Sequence, residues 1–178
     1  MPAYEKAVIQ GHLVAADGAA TNDAKGKALE DLACYLFGQI PGVSITERNP
    51  LNAFATEEID VALWNEQDPA GLKSFNAVIL VECKFWSKPV GSEQVGWFLK
   101  KIENRGLDFG ILLAMRGVTG DAQDRGQAHY EVAMVLPKKI RLIVITRAEI
   151  EALSTTEELV TQIRRKACQL AVAGTLWP

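Results

Sequence analysis

The order of helical and extended patterns predicts an α/β domain with a mixed central sheet flanked by helices. Residues 75–86 are almost entirely apolar up to residue 81, which is typical of a central strand buried on both faces. Segments with helical apolar spacing precede and follow this run, and two further short apolar strands come later in the chain.

The first half of the chain predicts two helices and then three strands. The helices are expected at 4–16 and 22–38, and the second begins at a cap formed by Thr21 or Asn22. It ends before Pro41, because proline and the following glycine stop a helix. The three strands are expected at 43–48, 57–65 and 75–86.

The second half alternates helices with strands. In order, we expect a helix at 92–105, a strand at 109–115, a helix at 120–136, a strand at 139–146, a short helix and a final helix at 156–172. Ser92 is the expected cap of the first of these helices. Two Thr-x-x-Glu patterns, starting at Thr146 and Thr155, predict capping boxes. No repeat or linker interrupts the chain, so residues 1–178 are expected to form one domain.

Composition limits the class of protein. The chain has 178 residues, of which 48% are hydrophobic and 23% charged, so it resembles a globular domain and not a disordered chain. The apolar runs are too short to span a bilayer, and no signal peptide is recognisable. Cys34, Cys83 and Cys168 form no zinc motif and fit a reducing cytoplasm, where we expect the protein without a membrane partner.

Charged residues end a strand that is otherwise apolar. The run at 75–86 reaches Glu82 and Lys84, whose side chains share one face because side chains alternate along a strand. Charges at the end of a buried strand are costly unless they are paired or bound to a ligand. Alone, this pair could be a salt bridge at the protein surface.

A second acid lies in the preceding strand. Asp60 is expected in the middle of the strand at 57–65, on the face opposite Ile59 and Val61. If this strand pairs with the next as a hairpin, Asp60 lies beside Glu82. Two close carboxylates repel one another, and a divalent cation between them removes that cost.

These residues predict a hard-metal site with oxygen ligands. Asp60, Glu82 and the backbone carbonyl of Cys83 are the candidate ligands for Mg²⁺, with Mn²⁺ able to substitute. Lys84 can hold the attacking water or stabilise the transition state of phosphodiester hydrolysis. Glu30, on the helix at 22–38, is a further candidate that could approach the metal from outside the sheet.

Asp60 and the Glu82-Cys83-Lys84 triplet at the end of an apolar strand resemble the signature of the PD-(D/E)xK nuclease superfamily. This resemblance implies a restriction-endonuclease-like core of helix, three strands, helix and strand, corresponding to about 22–115. It also implies that Asp60 and Glu82 are metal ligands and that Lys84 is the catalytic lysine.

The segment VILVECKFWSKPVGSEQVGWF most resembles the Mrr-like restriction endonucleases and the archaeal-type Holliday junction resolvases. By this resemblance, Glu30 matches an acidic residue on the first core helix, and Gln94 matches a polar residue near the site. Trp86 follows the lysine in a loop where a substrate strand could pass, and stacking there would contribute roughly 1–3 kcal/mol per base. Lys100 and Lys101 are candidate phosphate contacts.

The sequence therefore predicts a metal-dependent endonuclease acting on DNA. A homodimer is plausible, because two-fold symmetry suits the cutting of two strands. Two alternatives remain open at this point. The fold could serve as a DNA-binding or protein-binding module with weak or no cleavage, an alternative that the net charge of −3 and the lack of a separate DNA-reading domain keep open. The acids could also serve an enzyme acting on a small phosphorylated substrate, for which a narrow pocket without basic walls is expected.

Overall fold

The computed structural model describes residues 2–51, 58–120 and 128–176. Within these ranges, five strands form one sheet in the order β1-β2-β3-β4-β5. The strands are β1 Val43–Arg48, β2 Val61–Asn65, β3 Val78–Lys84, β4 Phe109–Ala114 and β5 Arg141–Ile145. Strands β1, β2 and β3 pair antiparallel, whereas β3, β4 and β5 pair parallel, so the predicted mixed sheet is confirmed.

Helices cover both faces of this sheet, as predicted. They are α1 Lys6–Gly18, α2 Asn22–Gly38, α3 Ser92–Asn104, α4 Ala128–Val135, α5 Arg147–Ala152 and α6 Thr156–Ala173, with a 3-10 turn at Leu136–Lys138. One apolar cluster joins α1, α2, α5 and most of α6 to the sheet, and a second joins α3 and α4 to the other face. In the described ranges, no helix has the length and apolar character needed to cross a membrane.

The central strand β3 contributes to both clusters because its side chains alternate. Ile79, Val81 and Cys83 pack in the first cluster, and Leu80 packs in the second. The alternation carries Glu82 to the face covered by α3, where its side chain is buried. The fold thus places one carboxylate inside the apolar layer between the sheet and a helix.

Several helix signals in the sequence are confirmed. Helix α2 has the predicted bounds, and the side chain of its cap, Thr21, accepts a hydrogen bond from the N–H of Ala24 at 3.2 Å. Both predicted capping boxes form, with Glu149 and Glu158 as the reciprocal partners. These caps satisfy backbone N–H groups at the start of each helix and fix where the helices begin.

The predicted strand at 57–65 is too long. Strand β2 begins at Val61, and Asp60 lies in a bend immediately before it and not in the middle of a strand. The bend also turns Ile59 into the second apolar cluster, whereas Val61 packs in the first, so the prediction that these two side chains share a face is wrong. Residue 57 lies outside the described residues.

The predicted strand at 75–86 is also too long, since β3 covers only Val78–Lys84. The side chain of Asn65 explains why the strand begins later than predicted. Its buried amide donates hydrogen bonds to the carbonyl oxygens of Leu72, Phe75 and Asn76, which holds this segment in a turn before the strand.

The bounds of some helices and one helix cap differ from prediction. Helix α1 covers Lys6–Gly18 where 4–16 was expected. Helix α3 is capped by Gly91 without a side-chain hydrogen bond, so Ser92 is its first residue and not its cap. Of the helix expected at 120–136, the described part forms α4 at Ala128–Val135, and 121–127 lie outside the described residues.

Gly110 in β4 permits close packing of α3 on the sheet. A Cβ at this position would collide with Ile102 and lie 3.1 Å from a ring carbon of Phe98. We expect Gly110→Ala to lower the free energy of unfolding by roughly 1–3 kcal/mol, because overpacking forces side chains out of their preferred rotamers. Urea denaturation measures this change.

Gly11 provides the matched control, since no atom lies within 4 Å of the Cβ that alanine would add in the middle of α1. Gly11→Ala is expected to raise the free energy of unfolding by about 0.5–1 kcal/mol. A stabilised Gly110→Ala variant would contradict the described packing of α3 on β4.

Candidate active site

Asp60 completes the hydrogen bonding of the central strand. Val61 pairs with Val81, so the next hydrogen-bonded pair in this antiparallel ladder would join Ile59 to Cys83. Instead, Asp60 Oδ2 accepts a hydrogen bond from the N–H of Cys83 at 2.6 Å. The carboxylate therefore stands where a backbone carbonyl of β2 would otherwise be.

The segment before the bend holds Asp60 in this place. The N–H of Ile59 donates to the carbonyl of Pro50 at 3.2 Å, and the N–H of Asn49 donates to the carbonyl of Asp60 at 3.2 Å. Asn49 has a φ of +51°, in the left-handed region that asparagine tolerates better than most residues. These two hydrogen bonds keep the backbone of residue 60 out of the β2–β3 ladder, so that its side chain can accept from the N–H of Cys83.

Glu82 is held by two lysines. Its Oε1 lies 2.7 Å from Lys84 Nζ. Lys101 Nζ from α3 lies 3.1 Å from Oε1 and 2.9 Å from Oε2. The Glu82 side chain is only 6% exposed, and those of Lys84 and Lys101 are 22% and 17% exposed. Glu82 and Lys84 do form a salt bridge, but it is largely buried, unlike the surface pair that the sequence alone left open.

The environment of the site shifts the pKa values of Asp60 and Lys84. Burial and the neighbouring Glu82 carboxylate raise the pKa of Asp60 from its ordinary value of 3.8 to about 6. Burial by itself would lower the pKa of Lys84, but the Glu82 and Asp60 carboxylates outweigh it, and the pKa is raised. At neutral pH, Lys84 is therefore a cation that donates hydrogen bonds, and it is not a proton acceptor.

Glu30 approaches the same place from α2. Its Oε2 accepts a hydrogen bond from the side-chain amide of Asn49 at 3.0 Å and lies 3.5 Å from Arg48. Asn49 thus connects Glu30 through its side chain to Asp60 through its backbone. Glu30, Asp60 and Lys84 all line one cleft of about 350 Å³, which we call the acidic cleft.

A second cleft adjoins the acidic cleft. The two share Asn22, Phe85 and Trp86 as lining residues. The second cleft has a volume of about 550 Å³, and the charged residues that line it are Lys25 and Lys88. We call it the basic cleft. Together the two clefts place the carboxylates of Glu30 and Asp60 next to a surface lined by two lysines.

The structure brings several predicted site residues together. Trp86 lines both clefts, and Gln94 on α3 lines the basic cleft. Lys100 is 62% exposed and pairs with Glu103 at 3.2 Å. Lys100 and Lys101 are not among the described residues that line either cleft, because they lie further along α3.

Sequence reasoning missed the contacts that residues make across the fold. It did not single out Lys25 and Lys88, which line the basic cleft, or Lys27, which lines the acidic one. It gave Asn49 no role in the site, and it assigned Lys101 to the substrate and not to Glu82. The bias of asparagine toward positive φ was a usable signal for Asn49, whereas nothing local in the sequence marks Lys101.

A family model of restriction endonucleases, Mrr_cat, matches residues 21–147 of this chain. The match starts at the cap of α2 and ends just after β5, so it includes all five described strands and the acidic cleft. The chain therefore belongs to this restriction endonuclease family, and the resemblance to the PD-(D/E)xK superfamily is confirmed. Membership indicates a nuclease-type protein. No curated protein matches the chain significantly.

The raised pKa of Asp60 predicts that the free energy of unfolding of the metal-free protein falls as the pH rises. The pKa of about 6 in the folded state exceeds the ordinary value of 3.8. The loss of stability is therefore absent below about pH 4 and develops as the pH rises through 6. We expect Asp60→Asn, which retains an acceptor for the Cys83 N–H, to stabilise the metal-free protein at pH 8 by on the order of 2 kcal/mol.

Chemical denaturation in EDTA at pH 4 and pH 8 measures this effect. Glu47→Gln is the matched control, since Glu47 is exposed on β1 and its replacement should change stability little at either pH. An Asp60→Asn variant that is no more stable than the wild type at pH 8 would contradict the described environment of Asp60.

Proposed function

We propose that this protein is a metal-dependent endonuclease that hydrolyses phosphodiester bonds in DNA. The observation that carries the proposal is the convergence of Asp60, Glu82 and Lys84 at the end of β3, beside an open cleft. A structural protein has no need to place two carboxylates together in a largely buried position, where they repel one another. The family match supports a nuclease in general.

The donor set suits Mg²⁺, with Mn²⁺ able to substitute. In the described part of the chain, no three His, Cys, Asp or Glu side chains cluster to hold a metal ion, so a cation would rely on two carboxylates and other oxygens. Mg²⁺ commonly binds in this way, through one or two carboxylates, and keeps several waters.

The carbonyl of Cys83 is a fitting third oxygen. In a hydrogen-bonded antiparallel pair, the N–H and C=O of one residue point to the same neighbouring strand. The Cys83 N–H meets Asp60, so its carbonyl faces the same side. The ladder donor expected there, the N–H of Ile59, binds Pro50 instead. We propose that Asp60, Glu82 and this carbonyl hold the cation.

The protein's own residues then have distinct roles. A bound divalent cation would supply Lewis acidity and charge neutralisation at the phosphate. Lys84, cationic at neutral pH, donates hydrogen bonds to the attacking water or to a nonbridging oxygen as negative charge develops. Glu30 and Asn49 fix the wall of the acidic cleft and the bend that presents Asp60.

The basic cleft favours DNA over a small phosphorylated substrate. A small substrate would fit a narrow pocket without basic walls, whereas Lys25 and Lys88 line a cleft that continues from the acidic one past Trp86. Phosphate contacts by lysine supply sequence-independent affinity for a nucleic-acid strand. Trp86, which lines both clefts, is our candidate for stacking on a base.

A module that binds DNA or a protein partner without cleavage is the alternative function. Lys84 and Lys101 neutralise Glu82 without any metal ion, so the buried acid is satisfied in a non-catalytic protein as well. The net charge of −3 also weakens the general expectation of a DNA-binding domain. Under either function we propose a reducing cytoplasm, because all three cysteines are free. For the endonuclease we also propose a homodimer that would act on both strands.

Cleavage of labelled duplex, branched and single-stranded DNA tests the proposal. We expect cutting with Mg²⁺ or Mn²⁺, none with EDTA, and a loss of roughly 10²-fold or more in Lys84→Ala, because a donor to the developing charge is removed. Lys73→Ala is the control, since Lys73 is exposed in the turn before β3 and lies outside both described clefts. Equal DNA binding by wild type and Lys84→Ala, without cleavage of any substrate, would favour the non-catalytic module.

The basic cleft makes a separate prediction about DNA binding. Replacing Lys25 and Lys88 together with alanine should lower affinity and reduce the slope of log K against log salt by about 2, one for each lost phosphate contact. Fluorescence anisotropy across a salt series measures the slope. Lys73→Ala, at an exposed position in the turn before β3, should leave it unchanged. A wild-type slope in the double variant would exclude these lysines as phosphate contacts.

A further inference from the structure

Lys101 contacts both oxygens of the Glu82 carboxylate. Its Nζ lies 3.1 Å from Oε1 and 2.9 Å from Oε2, and both side chains are largely buried. Lys101 belongs to α3, whose Val95, Phe98 and Ile102 pack in the apolar cluster over this face of the sheet. The position of its ammonium group is therefore set by the core packing of the helix and not by a free surface side chain.

The contacts of Glu82 leave little room for cations. A carboxylate has about four lone-pair sites on its two oxygens. Lys84 uses one site at Oε1, and Lys101 uses one site at each oxygen. The remaining site, at Oε2, is sufficient for one metal ion. A second metal ion bound to Glu82 would have to displace a buried lysine.

The balance of charge leads to the same conclusion. Asp60 and Glu82 contribute two negative charges when ionised, and Lys84 and Lys101 contribute two positive charges, so the cluster is neutral without metal. One divalent cation brings it to +2, and a second would bring it to +4 at close range. In a poorly screened site, repulsion between these charges strongly disfavours the binding of a second cation.

We propose that Lys101 is a positioning residue that holds Glu82 and restricts the site to a single divalent cation, occupying the place that a second cation would take. The inference rests on the proposed function, because it requires that Asp60 and Glu82 bind a metal. It also gives Lys101 a role that does not involve direct contact with DNA.

Mn²⁺ binding, followed by electron paramagnetic resonance and calorimetry in the absence of DNA, tests the inference. The wild type is expected to bind one Mn²⁺ per chain. Lys101→Met removes a positive charge and frees two lone-pair sites on Glu82. It should therefore bind the first Mn²⁺ roughly tenfold more tightly and take up a second.

Two control variants separate charge from folding. Lys101→Arg keeps the charge and the ability to donate to both oxygens, so it should bind one Mn²⁺ like the wild type. Lys100→Met removes the neighbouring, exposed lysine and should also bind one. A purely structural role for Lys101 would change the melting temperature of Lys101→Met without changing the number of bound ions.

The outcomes distinguish this inference from the proposed function. One Mn²⁺ in Lys101→Met, bound no more tightly than in the wild type, overturns the role of Lys101 while the metal site stands. Two Mn²⁺ in the wild type overturn it as well. No Mn²⁺ in the wild type, or wild-type binding in Asp60→Asn, overturns the proposed metal site and the inference together. If Lys101→Met does not fold, Lys101→Gln replaces it, with the same expected results.

Discussion

The burial of two neighbouring carboxylates is the constraint on which the site depends. Glu82 lies in the layer between the sheet and α3, and Asp60 lies beside it at the open end of the β2–β3 ladder. Neither charge could remain there alone, because a buried and unpaired carboxylate is strongly destabilising. Two lysines balance Glu82, and the Cys83 N–H together with a raised pKa accommodates Asp60. The proposed cation would relieve the remaining repulsion.

A local failure of strand pairing creates this arrangement. The antiparallel ladder between β2 and β3 stops at Val61, because Ile59 pairs its N–H with Pro50 and Asp60 turns its carboxylate toward the strand. If β2 continued to residue 57, a backbone carbonyl would occupy the place of the carboxylate. The carbonyl of Cys83 would then be used within the sheet and could not contribute to a metal site.

Much of the fold and the central residues of the candidate site could be predicted from the sequence. The apolar run of β3 fixes a central strand, and its alternation places Glu82 and Lys84 on one face. Hairpin pairing of β2 with β3 then brings Asp60 next to Glu82, although the bend at Asp60 was not foreseen. Periodicity describes residues close in sequence and therefore could not reveal the contact of Lys101 with Glu82, which lies 19 residues away. The role of Lys25 and Lys88 in the basic cleft could not be predicted for the same reason, because segments distant in sequence form that cleft.

A crystal structure with Mn²⁺, analysed by anomalous diffraction at the manganese edge, tests the central claim most directly. Our account predicts one anomalous peak per chain, bridging the carboxylates of Asp60 and Glu82 and contacting the carbonyl of Cys83. Lys101 should remain in contact with Glu82. The absence of a peak between the two carboxylates, at Mn²⁺ concentrations that saturate solution binding, would contradict the account.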